Sequence, residues 1–136
     1  MSMLQVPGPI YERMIEQARE GAPFEVCGIL GGKEGIVSAI YPMTNTDEGC
    51  DHYMMEPREQ FSVVKRLRSE KLEMLAVYHS HPSTPARPSE EDIRLALTPA
   101  ISYVIVSLAD PSAPEIRSFK IAGKKVCSED VKIVHE

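Results

Sequence analysis

Two histidines separated by one residue, His79 and His81, and a carboxylate eleven positions further on, Asp92, are the side chains of this chain best suited to chemistry. Imidazole nitrogen and carboxylate oxygen are what a catalytic zinc takes from a protein, three such ligands with a further position kept for water or substrate. Side chains two apart on extended backbone point to one side, so histidines 79 and 81 at the end of a strand can reach one ion. Three prolines follow, Pro82, Pro85 and Pro88, which exclude helix and paired strand and leave a stiff excursion. Ser89 then opens a helix with Glu90, Glu91 and Asp92 in its first turn, and the excursion swings Asp92 back towards the histidines.

Each signal has a plainer reading when taken alone. Ser89-x-x-Asp92 just after Pro88 reads as a helix capping box, with Ser89 accepting from a backbone N–H. A His-x-His pair at a strand end also reads as ordinary surface. The combination is more specific. His79-Ser80-His81-Pro82, with seven residues between His81 and Ser89 and two more before Asp92, resembles the signature of the JAMM (MPN+) metalloproteases, His-Ser/Thr-His-x7-Ser-x2-Asp. That family requires one further glutamate on an early strand, and Phe24-Glu25-Val26-Cys27-Gly28-Ile29-Leu30-Gly31 resembles that segment.

The resemblance implies roles. His79, His81 and Asp92 would hold one zinc ion per chain. Glu25, which on its own reads as a strand-end surface residue, would be the general base that takes a proton from water and hands it to the leaving amine. Ser89 would donate a hydrogen bond to the oxyanion of the tetrahedral intermediate. Its proton cannot also serve the helix cap, but its oxygen can accept a backbone N–H, so both roles can coexist. The implied fold is a single-domain α/β arrangement over residues 1–136, a curved mixed sheet flanked by helices, related in architecture to the cytidine deaminases. The deaminase ligand pair Pro-Cys-x-x-Cys is absent.

The elements that must position these residues are legible from periodicity. A helix is expected over 9–20, with Pro9 at its start, Gly21 as its stop and Ile10, Met14 and Ala18 on one face. Residues 24–30 read as a buried strand, 31–35 as a turn and 36–41 as the hairpin partner. Turn formers fill 42–51, and a short strand follows at 52–55. Pro57 starts a helix to about residue 71 with Phe61, Val64 and Leu67 at helical spacing. The apolar run over 74–80 reads as a buried central strand leading into the histidines, and the helix from Ser89 buries Ile93, Ala96 and Leu97. Residues 101–108 form the strongest strand, 115–121 returns from it, and 126–134 adds an edge strand.

Composition limits the rest. With 43% hydrophobic and 26% charged residues over 136 positions the chain reads as one soluble globular domain. Fifteen basic against 20 acidic residues, a net charge of −5, offer no reason to expect nucleic acid or an anionic membrane as partner. Three cysteines without a Cys-x-x-Cys, no membrane-length apolar run and no secretory leader point to a reducing, cytoplasmic setting. Cys27 invites a rival nucleophile pairing with a histidine, but a small cysteine in a Cys-Gly-Ile-Leu strand reads as core. Cys50-Asp51-His52 offers a second metal site, or simply an exposed loop.

Short loops at 42–51 and 109–114 resemble the compact prokaryotic members of the family. Those include peptidases acting at the C-terminus of ubiquitin-like sulfur-carrier proteins. The expected function is therefore zinc-dependent hydrolysis of a peptide or isopeptide bond after the Gly-Gly tail of such a carrier, the tail pairing with a free strand edge beside the metal. A non-catalytic MPN-type scaffold and a deaminase-like hydrolase of a small amine are the alternatives.

Overall fold

The computed structural model describes residues 3–47, 49 and 52–135. Strand β1 (Met3–Pro7) leads into helix α1 (Gly8–Gly21), then β2 (Cys27–Lys33), β3 (Ile36–Met43), α2 (Pro57–Ser69), β4 (Glu73–His81), α3 (Glu90–Leu95), β5 (Ser102–Ser107), β6 (Glu115–Ala122) and β7 (Lys125–Val134). The strands form one mixed sheet that closes on itself in the order β1-β3-β2-β4-β5-β6-β7. Closure is uneven: β1 runs parallel to β7 over five pairs, Met3↔Asp130 to Pro7↔Val134, but meets β3 at the single pair Gln5↔Ile36.

Alternation along the central strands sorts side chains onto two faces. Leu30 of β2, Ala76 and Tyr78 of β4 and Val104 and Val106 of β5 gather on one face with Met14 and Ala18 of α1. That helix lies in the hollow of the curled sheet, touching β1, β3, β5 and β7. Cys27 and Ile29 of β2 face the other way, packed with Met43, Met55 and Leu67 of α2. Ile105, Phe119 and Ile121 form a third cluster with Ala86 and Ala96 beside α3. Gly28 is dictated by this packing, since a Cβ there would lie 2.3 Å from the Tyr78 ring. The β2–β3 turn puts Glu34 at φ 52° and Gly35 at φ 76°, as a tight hairpin requires.

Several expectations are corrected. Strand β1 carries only two inward residues, Leu4 and Val6, too short a pattern to predict. Phe24 is 48% exposed, and β2 starts at Cys27 rather than three residues earlier. No strand forms over 52–55; the segment contributes one bridge, Asn45↔Met55. Helix α2 ends at Ser69 and leaves Phe61 66% exposed, burying Leu67 alone. Helix α3 stops at Leu95, so Ala96 is buried as its C-cap while Leu97 is 82% exposed. The segment 126–134 is no edge strand, because β1 covers its outer side.

Candidate metal centre

Strand β4 ends on the burial pattern that matters here, with His79, Ser80 and His81 all buried. His79 and His81 project to the face they share with Cys27. Backbone pairing fixes the strand end on both sides: His79 lies opposite Cys27 of β2 and beside Ile105 of β5, and the Leu108 N–H donates to the His81 carbonyl at 3.0 Å. The proline-rich excursion then returns, as its stiffness suggested. Ser107 donates from Oγ to the Thr84 carbonyl at 2.6 Å and holds that excursion against β5.

Asp92 arrives from the first turn of α3. Ser89 is the N-cap, its Oγ accepting from the Asp92 N–H at 3.0 Å while Asp92 Oδ2 accepts from the Ser89 N–H at 2.9 Å, a complete capping box. The plainer reading of Ser89-x-x-Asp92, a helix cap, is therefore present. The same Oδ2 lies 3.1 Å from His79 Nε2 and 3.0 Å from His81 Nε2, and the two Nε2 atoms are 3.1 Å apart. Three ligands at zinc bond lengths on a tetrahedron would stand roughly 3.3 Å apart, close to this triangle. Among the described residues these three side chains form the group of histidine, cysteine and acidic donors close enough to share a metal ion.

The donor chemistry fits a cation. His81 Nδ1 stands 2.9 Å from the Pro85 carbonyl, an acceptor, so this nitrogen carries the proton and neutral His81 turns a lone pair on Nε2 towards its neighbours. Two imidazole nitrogens and a carboxylate oxygen held this close share a need for positive charge that one metal ion meets at once. Without an ion, burial pulls the His79 pKa down from 6.5, with the Asp92 contact opposing. Burial also acts against protonated His81, but the Asp92 carboxylate and the Pro85 carbonyl outweigh it and raise the pKa. Burial likewise disfavours the Asp92 charge, yet the two histidines hold its carboxyl well below the usual range.

Glu25 is 3% exposed and lies just before β2. Continuing the antiparallel register from Cys27↔His79 by two residues sets Glu25 across from His81, on the histidine face. Its negative charge is felt there, since it helps to raise the His81 pKa. Yet it stands outside the trio whose donor atoms lie within 4.8 Å of one another. A buried carboxylate beside the group but not in it can exchange protons there.

Other side chains complete the surroundings. Tyr53 stacks on the His79 ring with centroids 4.7 Å apart and planes 23° from parallel. A narrow cleft between Tyr53, Pro88, Leu95 and Tyr103 opens beside His79 and Asp92. A hollow beside Gln5, Glu12 and His135 is larger but gathers no metal-ligating trio among the described residues, so size alone does not mark the site. Cys27 is fully buried, its thiol near the Met43 and Thr44 carbonyls and its pKa pushed up to about 12 by burial and by Glu59 and Glu25. That removes it as a nucleophile. Cys50 and Asp51 lie outside the described residues; His52 is 3.7 Å from Asp47.

Sequence reasoning missed Tyr53, Ser80, Asn45 and Ser107. The position of Ser80 between two histidines, on the opposite side of the strand, was a usable signal. No sequence pattern marks Asn45, whose amide bonds across the 45–54 loop.

Residues 7–122 match the family model described as prokaryotic homologs of the JAB domain. The CysO-cysteine peptidase of Mycobacterium tuberculosis is 34% identical over 136 residues, covering 98% of this chain and 93% of its own. A desampylase of Haloferax volcanii is 33% identical over 78% of this chain and 81% of its own. The solution structure of a Desulfitobacterium hafniense protein is 42% identical with a TM-score of 0.90, covering 98% of this chain and 94% of the other.

Proposed function

This chain belongs to the family of prokaryotic homologues of the JAB domain and is a hydrolase of the peptidase type, and from that premise we propose that it cuts the peptide or isopeptide bond after the C-terminal Gly-Gly of a ubiquitin-like sulfur-carrier protein. The observation that carries the reading is the convergence of His79 Nε2, His81 Nε2 and Asp92 Oδ2 to 3.0–3.1 Å beside the buried Glu25.

In this reading His79, His81 and Asp92 hold zinc, whose borderline-soft character suits two nitrogens and an oxygen. Held by these three side chains, zinc would supply Lewis acidity, which would bring the pKa of water down towards ~7 and polarise a carbonyl. Glu25 accepts the proton of the attacking water and returns it to the nitrogen of the breaking C–N bond, so that acid and amine leave with atoms balanced. Ser89 donates a hydrogen bond from its hydroxyl to the developing oxyanion. Its oxygen is the acceptor in the helix cap, so the cap leaves that proton available.

Substrate entry needs one revision. Strand β4, which carries the histidines, is paired to β2 on one side and β5 on the other, so a tail finds no free edge on it. The loop holding Tyr53 and the first turn of α3 are the walls left to grip a tail, and the cleft between them is narrow. Glycine, with no side chain, suits such an approach. A small-amine deaminase lacks support in the ligand set, and a non-catalytic scaffold has no need of a buried Glu25.

The test is a carrier extended by one residue beyond Gly-Gly, incubated with the zinc-loaded chain and followed by mass spectrometry. Trimming back to Gly-Gly by wild type and not by Glu25→Gln is expected. A carrier whose penultimate Gly is changed to Val should lose ~100-fold or more in kcat/KM. Equal cleavage of the Val variant overturns the proposal.

A further inference from the structure

Ser80 is fully buried between the two histidines, and its side chain is on the other face of β4 from theirs. It has no part in holding an ion, yet it is tied to the segment bearing Glu25. In an antiparallel ladder Val26 and Ser80 would exchange two backbone N–H···O=C bonds. One is present, Ser80 N–H to the Val26 carbonyl at 3.0 Å. The Val26 N–H instead donates to Ser80 Oγ at 2.8 Å. Here β2 stops being strand, one residue after Glu25. The other side of Glu25 is held as well, with its N–H on the Gly49 carbonyl at 2.7 Å and its own carbonyl receiving the Asn45 Nδ2 amide at 3.0 Å.

We infer that Ser80 is a positioning residue for proton transfer by Glu25: its hydroxyl oxygen captures the Val26 amide, ends the β2 ladder there, and so sets where the Glu25 carboxylate stands against the His79–His81–Asp92 group. This rests on the role proposed above for Glu25. An alanine at 80 removes the acceptor. The Val26 amide then loses its partner in a half-buried place, and Glu25, one residue away, is no longer held where it stood. Threonine keeps an oxygen at the same position. The middle residue of a His-x-His pair is thus free of ligation and available for this task.

Ser80→Ala, Ser80→Thr and the double variant Glu25→Gln/Ser80→Ala test the assignment. In Ser80→Ala, zinc content and KM should match wild type while kcat falls roughly 10- to 100-fold, the scale of a misplaced catalytic group. Ser80→Thr should restore kcat to within about threefold, and Ser80→Ala should cost nothing further on the Glu25→Gln background. Amide exchange of Val26, read by NMR on the zinc-loaded protein, should quicken about tenfold or more in Ser80→Ala and not in Ser80→Thr. Full kcat in Ser80→Ala, loss of zinc with the activity, or unchanged Val26 exchange each overturns the inference. If wild type cleaves no carrier, the functional reading fails and the exchange measurement alone decides on Ser80. If Ser80→Ala does not fold, Ser80→Cys, with a weaker acceptor in the same place, takes its part in every readout.

Discussion

Glu25 and His81 stand across from each other in register, and what each does is separable by what its loss removes. Glu25→Gln is expected to keep one zinc per chain and lose 10²-fold or more in kcat, because a missing proton acceptor slows the reaction without touching the ligands. His81→Ala should lose both metal and activity; metal analysis beside steady-state kinetics checks the pair, and zinc released by Glu25→Gln would reverse the assignment. Cys27 makes an opposite prediction. A thiol whose pKa is pushed up to about 12 stays protonated and, being fully buried, should resist alkylation at pH 8 in the folded chain. Peptide mapping after iodoacetamide treatment should find Cys27 unmodified while the exposed Cys127 reacts. The gathering of His79, His81 and Asp92 was readable in the sequence because metal ligation demands particular side chains at particular spacings. Asn45 meets the backbone through hydrogen bonds that make no such demand on spacing and leave no pattern to read, and Ser80, though its place between two histidines is visible, has a partner at Val26 that only the fold reveals.

At the scale of elements, β4 and β5 followed from their apolar runs, because burial on both faces leaves a continuous hydrophobic stretch. Where a neighbour decides, periodicity fails. Residues 24–26 look like strand but lose the ladder to Ser80 Oγ, and Phe61 sits at helical spacing yet no element packs over it. Gly28 shows how closely β2 and β4 are fitted. Gly28→Ala would push a methyl to within 2.3 Å of the Tyr78 ring, and the ring is pinned by its hydroxyl donating to Gln17 Oε1 at 2.5 Å. A loss of about 1–3 kcal/mol or more is expected from overpacking, read as a lower denaturation midpoint. Helix α3 depends on its cap. Ser89→Ala should cost about 1 kcal/mol of stability and in addition lower kcat, whereas Ser89→Gly should spare most of the stability and lower kcat as far. Equal kcat in both variants and wild type would confine Ser89 to the cap.

For the molecule as a whole, the three side chains of the zinc-free site act on stability in opposite directions. In zinc-free protein Asp92 has its pKa held below 3.8, so its contribution is present above pH 3.8 and lost as pH falls through the lower folded value. His79, lowered from 6.5, opposes the fold as pH drops below 6.5, because the unfolded chain takes up a proton the folded one resists. His81, raised above 6.5, contributes below that pH and loses its contribution as pH rises through its folded value. Denaturation of the zinc-free chain across pH should show the acid loss below 3.8 flattened in Asp92→Asn, and saturating zinc at pH 7 should raise the midpoint. The closing of the sheet has a consequence of another kind, in the order of synthesis. A ribosome delivers β1 long before its parallel partner β7, so Met3–Pro7 must wait for residues 130–134 before five of its pairs can form, while its contact with β3 is a single pair. Until then Leu4 and Val6 have no finished core to enter and the hollow around α1 stays open. The growing chain therefore carries an apolar strand without its main partner until β7 has emerged, and β7 is the segment that shelters it.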